Sequence, residues 1–259
     1  MPPQAGFLVF GRAAGTMPGM AAAEPTILAT SMGFDKTGRN AVDWAPGPVF
    51  RLAFELAGGP ERPRLCFVAT AGGDPDRRIA GFYSAFAASD VRCSHVALFE
   101  MPNVADVAAH LLAQDVIWVD RGSLVNLVAV WSAHGVPGVL RDCWRAGVVL
   151  AGESAGSLCW HTGGTTDSFG PKVTAAEGLG FLPFSNAVHF KHRRKAHTRL
   201  IAEGALGDGY ATDAGAGLVY RGVELAEVVA DRDNAYGYRL VRDAGGRVSE
   251  ERIEPRRLR

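Results

Sequence analysis

Residues 148–160 read VVLAGESAGSLCW, a short β-branched run followed by Gly-Glu-Ser-Ala-Gly and the start of a helix. This order matches the G-x-S-x-G nucleophile elbow, in which a serine lies on a sharp turn between a strand and a helix. Small residues on either side of Ser154 let the strand and the helix pass close together. The pattern predicts Ser154 as a nucleophile and the amide of Ala155, at a helix N-terminus, as a donor to an oxyanion. Because the motif is short, an ordinary strand end flanked by glycines is the alternative.

A serine nucleophile needs a general base, and seven histidines could serve. Those at positions 95, 110 and 134 fall inside strand or helix patterns, where a structural or solvent-facing role is expected. His161 follows the elbow too closely to reach back easily, and His192 and His197 lie in or beside the basic run 191–195, expected to be a solvated face. His189 differs because it ends the apolar approach segment 178–190, after a Gly/Pro turn. A strand end at the rim of a sheet is where a general base is expected.

The elements that position these residues alternate between buried strands and helices. Such alternation at βαβ spacing predicts an α/β fold with a doubly wound, mainly parallel sheet and helices on both faces. The predicted strands before and at the elbow are 25–33, 64–70, 91–99, 115–120 and 148–151, and the predicted helices are 49–57, 76–88, 104–113, 124–134 and 139–146. Ligands of such sheets bind beyond the carboxyl ends of the strands, where Gly33, Gly72, Gly122 and Ser154 are expected to converge.

The pattern changes after residue 161. We expect a Gly/Thr-rich loop at 162–177, a helix at 195–204 and a C-terminal antiparallel β extension on the same domain. The expected strands of that extension are 210–213, 218–220, 224–230 and 236–241. We therefore divide the chain into a disordered leader (1–25), one α/β domain (26–245) and a charged tail that frays (246–259).

Composition narrows the class of function. Lys+Arg and Asp+Glu both total 27, and this zero formal net charge argues against nucleic-acid or membrane-surface binding. No apolar run approaches the ~20 residues of a membrane span, and the apolar patch 7–10 is too short for a signal peptide. The four cysteines lack metal-ligand spacing and lie in or beside apolar segments, which indicates free thiols in a reducing, cytoplasmic compartment.

Several segments of the sequence, taken in their order along the chain, resemble those of a known protein family. The chain resembles the peptidase E family of serine peptidases, which includes relatives of cyanophycinase. The matching segments are ILATS (27–31), GSLVN (122–126), GESAGS (152–157), TTDS (165–168), GLGFLP (178–183), VHF (188–190) and GYATDAG (209–215). The resemblance covers most of residues 26–241 and implies a flavodoxin-like fold similar to that of class I glutamine amidotransferases, with serine in place of the cysteine nucleophile.

The resemblance also implies roles for individual residues. Ser154 matches the family's nucleophile, His189 its general base, and Asp167 its active-site aspartate. A further acid usually stands just before the glycine that matches Gly215, but here Asp213 lies one position earlier, so Asp167 and Asp213 stay equal candidates for orienting His189. The amides of Ala155 and Gly122 are the implied oxyanion donors.

Three departures from the family pattern concern charge. Relatives usually carry three glycines where this chain has Asp120-Arg121-Gly122, and an aromatic or aliphatic residue where it has Glu153. Glu153 could bind a substrate ammonium or pair with an arginine. Relatives also often follow the base with acidic residues, whereas this chain has the basic run 191–195. Arg121, Arg193 and Arg194 are candidates for binding a substrate carboxylate.

The function that follows is a serine-type exopeptidase of dipeptidase type, acting on small peptides through a Ser-His-acid triad and an acyl-enzyme. The resemblance implies a preference for an N-terminal aspartate. No metal or organic cofactor is expected, the partner is a small peptide substrate, and the protein is expected to be a monomer or a homodimer. The alternative is a catalytically weak or inactive family member that binds small acidic peptides or metabolites.

Overall fold

The computed structural model describes residues 22–40 and 42–259. Most of the predicted leader lies outside the described residues. Ala22, where the description starts, is buried, and its N–H donates to the carbonyl of Gly147 at 3.0 Å. Residues 22–25 therefore already belong to the folded domain.

Between residues 26 and 158 the described elements alternate as the sequence predicts, except that a short antiparallel hairpin (34–36 and 44–46) lies in the segment 34–48, whose composition predicts a polar loop. The strands are, in chain order, β1 (Thr26–Thr30), β2 (Phe34–Lys36), β3 (Trp44–Pro46), β4 (Arg64–Val68), β5 (Arg92–Val96), β6 (Val116–Val119), β7 (Val149–Glu153), β8 (His161–Thr166), β9 (Thr174–Glu177), β10 (Leu182–Ala187), β11 (Gly209–Thr212), β12 (Ala216–Arg221), β13 (Glu224–Ala230), β14 (Gly237–Arg242), β15 (Val248–Ile253) and β16 (Arg256–Arg257). The helices are α1 (Pro48–Leu56), α2 (Asp76–Phe86), α3 (Val107–Leu112), α4 (Leu124–Ala133), α5 (Val136–Arg145), α6 (Ala155–Leu158) and α7 (Phe190–Ala202).

The main sheet has the strand order β16-β13-β12-β1-β7-β6-β4-β5. Strands β1, β7, β6, β4 and β5 are parallel, and β12 pairs antiparallel with β1. The carboxyl ends of the parallel strands therefore meet at one rim. This arrangement confirms the predicted α/β class with a mainly parallel sheet.

Helices cover both faces of this sheet, which explains the continuous apolar runs of its central strands. All residues of β1, β6 and β7 are buried. Leu28 and Trp118 face α1 and α2, whereas Ile27 and Ile117 face the layer that contains α3, α4, α5 and α6. The residues at this rim therefore follow strands that are fully buried and covered by helices on both faces.

The C-terminal part forms a second sheet whose composition differs from the prediction. Its order is β15-β14-β11-β10-β8-β9, and it combines three parallel strands, β8, β10 and β11, with antiparallel neighbours. The extension is therefore mixed rather than purely antiparallel. The predicted loop at 162–177 is wrong, because β8 and β9 form an antiparallel hairpin there; its threonines and glycines suit a strand packed closely against its neighbours.

The predicted fraying of the tail is also wrong. Residues 248–253 form β15 on the edge of the second sheet, and 256–257 form β16 beside β13 on the edge of the main sheet. Most residues of these edge strands are exposed, so their sequence carries charges instead of an apolar run.

The described part of the chain contains no helix of the length and apolarity that a membrane crossing requires. Its four cysteines are free thiols, of which Cys66, Cys143 and Cys159 are buried and Cys93 is half-buried. Burial raises the pKa of the thiol in each of them. These thiols are accordingly poor nucleophiles at neutral pH.

Candidate active site

Ser154 occupies a strained turn between β7 and α6. Its backbone has φ +59° and ψ −110°, a combination rarely adopted outside glycine. Its N–H donates to the carbonyl of Thr30 on β1, and its own carbonyl accepts the N–H groups of Ser157 and Leu158. The side chain is half-buried at the rim. This is the strand–turn–helix geometry predicted from the motif.

The glycines around Ser154 are required by backbone packing. A Cβ at Gly152 would lie 2.4 Å from the carbonyl oxygen of Gly156, and a Cβ at Gly156 would lie 2.1 Å from that of Val119. Real Cβ atoms do not approach backbone this closely. The elbow therefore places α6 directly against β6 and β7, as the small residues of the motif suggested.

Two backbone N–H groups are available near the turn. Ala155 is the first residue of α6, so its N–H lacks a partner within the helix. Gly122 follows β6 with φ +152°, and its N–H has no acceptor among residues 22–40 and 42–259. A Cβ at Gly122 would lie 2.2 Å from the carbonyl oxygen of Ala71, so only glycine fits.

His189 lies between β10 and α7, in the left-handed conformation with φ +53° and ψ +45°. Its backbone N–H donates to Ser31 Oγ at 3.2 Å, and Ser31 Oγ also shares a 2.7 Å hydrogen bond with Thr212 Oγ1. Because the neighbouring carbonyl of Thr30 holds Ser154, two consecutive residues at the end of β1 anchor Ser154 and His189. The structure thus brings the predicted nucleophile and base to one place.

His189 is half-buried among positive charges. Burial lowers the pKa of His189 below its ordinary value, and the cations Arg193, Arg121 and His192 lower it further, against the opposing charge of Asp167. The neutral imidazole that a general base requires is therefore favoured. In the described part of the chain no side chain hydrogen-bonds to this ring.

Asp167 is the candidate acid within electrostatic reach of His189. It follows β8, its side chain is largely exposed, and Arg193 Nη2 lies 3.1 Å from its Oδ1. Arg193 also donates to the carbonyl of Thr165 at 3.2 Å. Partial burial acts to raise the pKa of the Asp167 carboxyl, but the hydrogen bond and charge of Arg193 outweigh it, so the pKa lies below its ordinary value.

Asp213, the other candidate acid, hydrogen-bonds to residues other than His189. It is buried at the end of β11, where its Oδ2 accepts the hydroxyl of Tyr238 at 2.9 Å and the N–H of Tyr236 at 3.3 Å. Its Oδ1 has no hydrogen-bond partner in the described residues. Burial and this hydrogen bond raise the pKa of Tyr238 to about 12, so the phenol remains the proton donor.

The charged residues that depart from the family pattern pair with arginines. Glu153 is buried and accepts a hydrogen bond from Arg121, whose guanidinium is half-exposed at the rim. Burial raises the pKa of the Glu153 carboxyl, although Arg121 opposes this. Asp120 is fully buried, and its two carboxylate oxygens accept hydrogen bonds from Nε and Nη2 of Arg78. Of the two alternatives for Glu153, the structure shows pairing with an arginine.

The basic run 191–195 lies within α7, which begins five residues earlier than predicted. Arg193 faces the rim with 14% of its side chain exposed, so the run is not solely a solvated face. Arg194 turns away: it pairs with Glu250 on β15 at 3.2 Å and stacks on Phe190 and Tyr238. Arg194 is therefore not brought to Ser154.

Two further histidines are buried rather than solvent-facing. His161 Nδ1–H donates to the carbonyl of Ser157, its Nε2 accepts the hydroxyl of Tyr220, and burial lowers its pKa to about 3. His197, which we expected on a solvated face, packs edge-on against Phe190, and burial lowers its pKa to about 4. Both are core residues in the neutral form.

Ser31 and Thr212 are the positions that sequence reasoning did not assign a role. One sequence signal could have identified them. Two buried strands end in hydroxyl residues, Thr30-Ser31 and Thr212, where apolar side chains would be expected. Their contact joins the main sheet to the second sheet. No group of three or more His, Cys, Asp or Glu side chains suited to a metal ion occurs within the described ranges.

Comparison with known proteins gives a consistent result. The model of peptidase family S51 matches residues 49–228. The uncharacterized peptidase YgaJ of Bacillus subtilis strain 168 is 41% identical over 184 residues, which cover 70% of this chain and 79% of YgaJ. Two crystal structures have a similar fold. A peptidase from an acI-B1 actinobacterium has a TM-score of 0.61 at 17% identity, with 92% of this chain and 96% of that chain covered. A peptidase E candidate from Listeria monocytogenes EGD-e has a TM-score of 0.54 at 15% identity, with 90% and 100% covered.

Proposed function

Because this chain belongs to the peptidase S51 family and is a peptidase, we propose that it hydrolyses small peptides by serine-type acyl transfer. The observation that carries the proposal is that the consecutive residues Thr30 and Ser31 hold Ser154 and His189 through hydrogen bonds, while the N–H groups of Ala155 and Gly122 have no acceptor among the described residues. In the proposed reaction these residues serve as nucleophile, base and oxyanion donors, the minimum that acyl transfer requires.

In the proposed reaction, Ser154 Oγ attacks the scissile carbonyl while the neutral imidazole of His189 takes its proton. The N–H groups of Ala155 and Gly122 bind the oxygen as it becomes negative. His189 then returns the proton to the leaving amine, and an acyl-enzyme ester remains on Ser154. Water, activated by the same imidazole, releases the acid and restores the enzyme.

Asp167 is the acid that we assign to this mechanism. Its charge raises the pKa of His189, so it stabilises the imidazolium that forms during attack. Asp213 is committed to Tyr236 and Tyr238 and is assigned a structural role. Asp167→Asn should therefore lower turnover, whereas Asp213→Asn should chiefly lower the thermal midpoint. A loss of turnover in Asp213→Asn at unchanged midpoint would reverse the assignment.

For substrate choice we propose dipeptide-sized substrates with an anionic group, an N-terminal aspartate being the first to test. Arg121 and Arg193 are the cations at the rim, and both affect His189 electrostatically. A panel of dipeptides that differ only in the N-terminal residue, assayed at one concentration, tests this. Equal hydrolysis of aspartyl, alanyl and lysyl members would contradict it.

A catalytically weak or inactive binding protein is the second candidate. It is motivated by the His189 ring, to which neither Asp167 nor Asp213 hydrogen-bonds. A fluorophosphonate probe separates the two functions, since it reacts only with an activated serine. The peptidase requires labelling of the wild type at Ser154 and none of Ser154→Ala. If both fail to react while a dipeptide still binds both, the binding function is supported instead.

A further inference from the structure

Two of the unusual charged residues at the rim are partners of one another. Arg121 immediately precedes Gly122, and Glu153 immediately precedes Ser154 and thus lies two residues before Ala155. Their side chains form an ion pair across the ends of the neighbouring strands β6 and β7. The pair therefore connects the two backbone segments that carry the proposed oxyanion donors.

The glutamate end of this pair is rigidly held. Only 4% of the Glu153 side chain is exposed, and its carboxylate lies against the backbone of Gly33, where a Cβ would come within 2.6 Å of Oε2. Its Oε2 occupies the space that a Cβ at Gly33 would need and is buried without a hydrogen-bond partner among the described residues, and its Oε1 accepts the hydrogen bond of Arg121. A buried carboxylate constrained on this side is a fixed anchor for a half-exposed guanidinium.

The segment that Arg121 belongs to needs such an anchor. On its far side, the N–H of Ser123 donates to the carbonyl of Ala71 at 2.8 Å. On its near side, Asp120 is tied to Arg78. Between these two points Gly122 has a backbone conformation that only glycine favours, and the side chain of Arg121 is its direct link to the elbow.

We propose that the Arg121–Glu153 ion pair is a latch that fixes the spacing of the two oxyanion donors, with both residues acting as positioning residues. The inference rests on the proposed serine-peptidase function. The latch acts on the transition state, because the donors tighten on the oxygen only as negative charge develops. Its loss should lower kcat, and in Glu153→Gln, which keeps the Arg121 cation at the rim, KM should stay nearly unchanged.

The test measures how fast a fluorophosphonate labels the full-length protein. In this reaction Ser154 Oγ bonds to phosphorus, fluoride leaves, the serine proton passes to His189, and the phosphoryl oxygen occupies the oxyanion site. The variants are Arg121→Gln, Arg121→Lys, Glu153→Gln and the double variant Arg121→Gln/Glu153→Gln, with Ser154→Ala as the negative control.

We expect about a tenfold or larger fall in the labelling rate constant for Arg121→Gln and for Glu153→Gln, since small misplacements of catalytic groups have effects of this size. The double variant should be no slower than the slower single variant, because either change already opens the latch. Arg121→Lys keeps the charge and should recover part of the rate. For any dipeptide that the panel identifies as a substrate, the fall should appear in kcat.

A matched ion pair at the opposite end of β6, between Asp115 before that strand and Arg64 at the start of the neighbouring β4, controls for general destabilisation. Asp115 and Arg64 pair at 2.5 Å, with 6% and 39% of their side chains exposed, close to the 4% and 50% of Glu153 and Arg121. Asp115→Asn should lower the thermal midpoint but leave the labelling rate unchanged. If it slows labelling as much as Glu153→Gln does, the effect is not local and the latch is refuted.

The outcomes separate the latch from the function on which it rests. If wild type is not labelled at Ser154, the proposed function fails and the latch with it. If wild type is labelled and folded Arg121→Gln reacts at the wild-type rate, the latch alone is refuted. Should Glu153→Gln not fold, Arg121→Gln and Arg121→Lys still decide the question, because Arg121 is half-exposed and Arg121→Lys keeps a cation beside the buried Glu153 carboxylate.

Discussion

Replacement of Gly122 by alanine tests the proposed oxyanion site directly. A Cβ at this position would lie 2.2 Å from the carbonyl oxygen of Ala71, whereas an ordinary contact needs about 3.4 Å. The segment after β6 must therefore shift by about 1.2 Å, the difference between these distances. A donor moved so far no longer reaches the oxygen it should bind. Loss of one oxyanion donor costs about 10²–10³ in kcat, or about 2.7–4 kcal/mol of transition-state stabilisation.

The assay is steady-state hydrolysis of a dipeptide substrate, with the fluorophosphonate labelling rate as a second readout and the thermal midpoint as a check on folding. Gly138→Ala is the matched control, because a Cβ there meets nothing within 4 Å. It should keep wild-type kcat. A folded Gly122→Ala protein with kcat within threefold of wild type would show that the Gly122 N–H does not stabilise the transition state.

Three further predictions concern the surroundings of the base. Because burial, Arg193 and Arg121 hold the pKa of His189 below 6.5, the fall of kcat/KM at acid pH should have its midpoint below pH 6.5. Arg193→Gln should move this acid limb to higher pH and Asp167→Asn to lower pH; shifts in the same direction in a pH–rate profile would contradict the charge argument. Ser31→Ala removes a hydrogen bond of about 1 kcal/mol and should lower kcat about fivefold, and unchanged turnover would show that His189 holds its position without it. His197 has a folded pKa of about 4 against 6.5 unfolded, so the unfolded state binds more protons between these values and stability falls as pH drops below 6.5. Between pH 7.5 and pH 5 this loss is about 2 kcal/mol, and urea unfolding of His197→Leu should show a pH dependence smaller by that amount.

The sequence predicted most of the main sheet because its signals are local. Buried parallel strands read as apolar runs, and the elbow is a continuous five-residue motif, although its glycines are required partly by the close approach of Val119 on β6. The predicted helices that separate the strands were found with shifts of a few residues at their ends. The nucleophile turn was recognisable from its motif, whereas Gly122, which packs on Ala71, was assigned its role through the resemblance to the family.

The second sheet was harder to predict because its signals are not local. Strands β8 and β9 consist largely of threonine, glycine and alanine, a composition that on its own favours a loop. The edge strand β15 is charged because solvent covers it, so its sequence looks like a tail. Asp213 and Tyr238 are 25 residues apart in sequence and pair between neighbouring strands, and no sequence periodicity indicates such a contact.

The charged residues at the rim show a third limit of prediction from sequence. Arg121 and Glu153 each look like a misplaced charge when read singly, and only their distance in space reveals that they compensate one another. The same holds for Asp120 and Arg78, which are 42 residues apart in the chain. Pairing of this kind depends on how α2, β6 and β7 are arranged in the folded protein.

The contact at Ser31 also bears on how the protein loses activity. The nucleophile is carried by the main sheet, the base is carried by the end of β10 in the second sheet, and the end of β1 joins them. Hydrolysis therefore reports whether the two sheets are docked, which circular dichroism does not. In a mild denaturant series, any partial opening that releases the second sheet should abolish turnover while the helices of the main sheet still give their signal. The separation between these two transitions would measure the free energy that holds one sheet to the other.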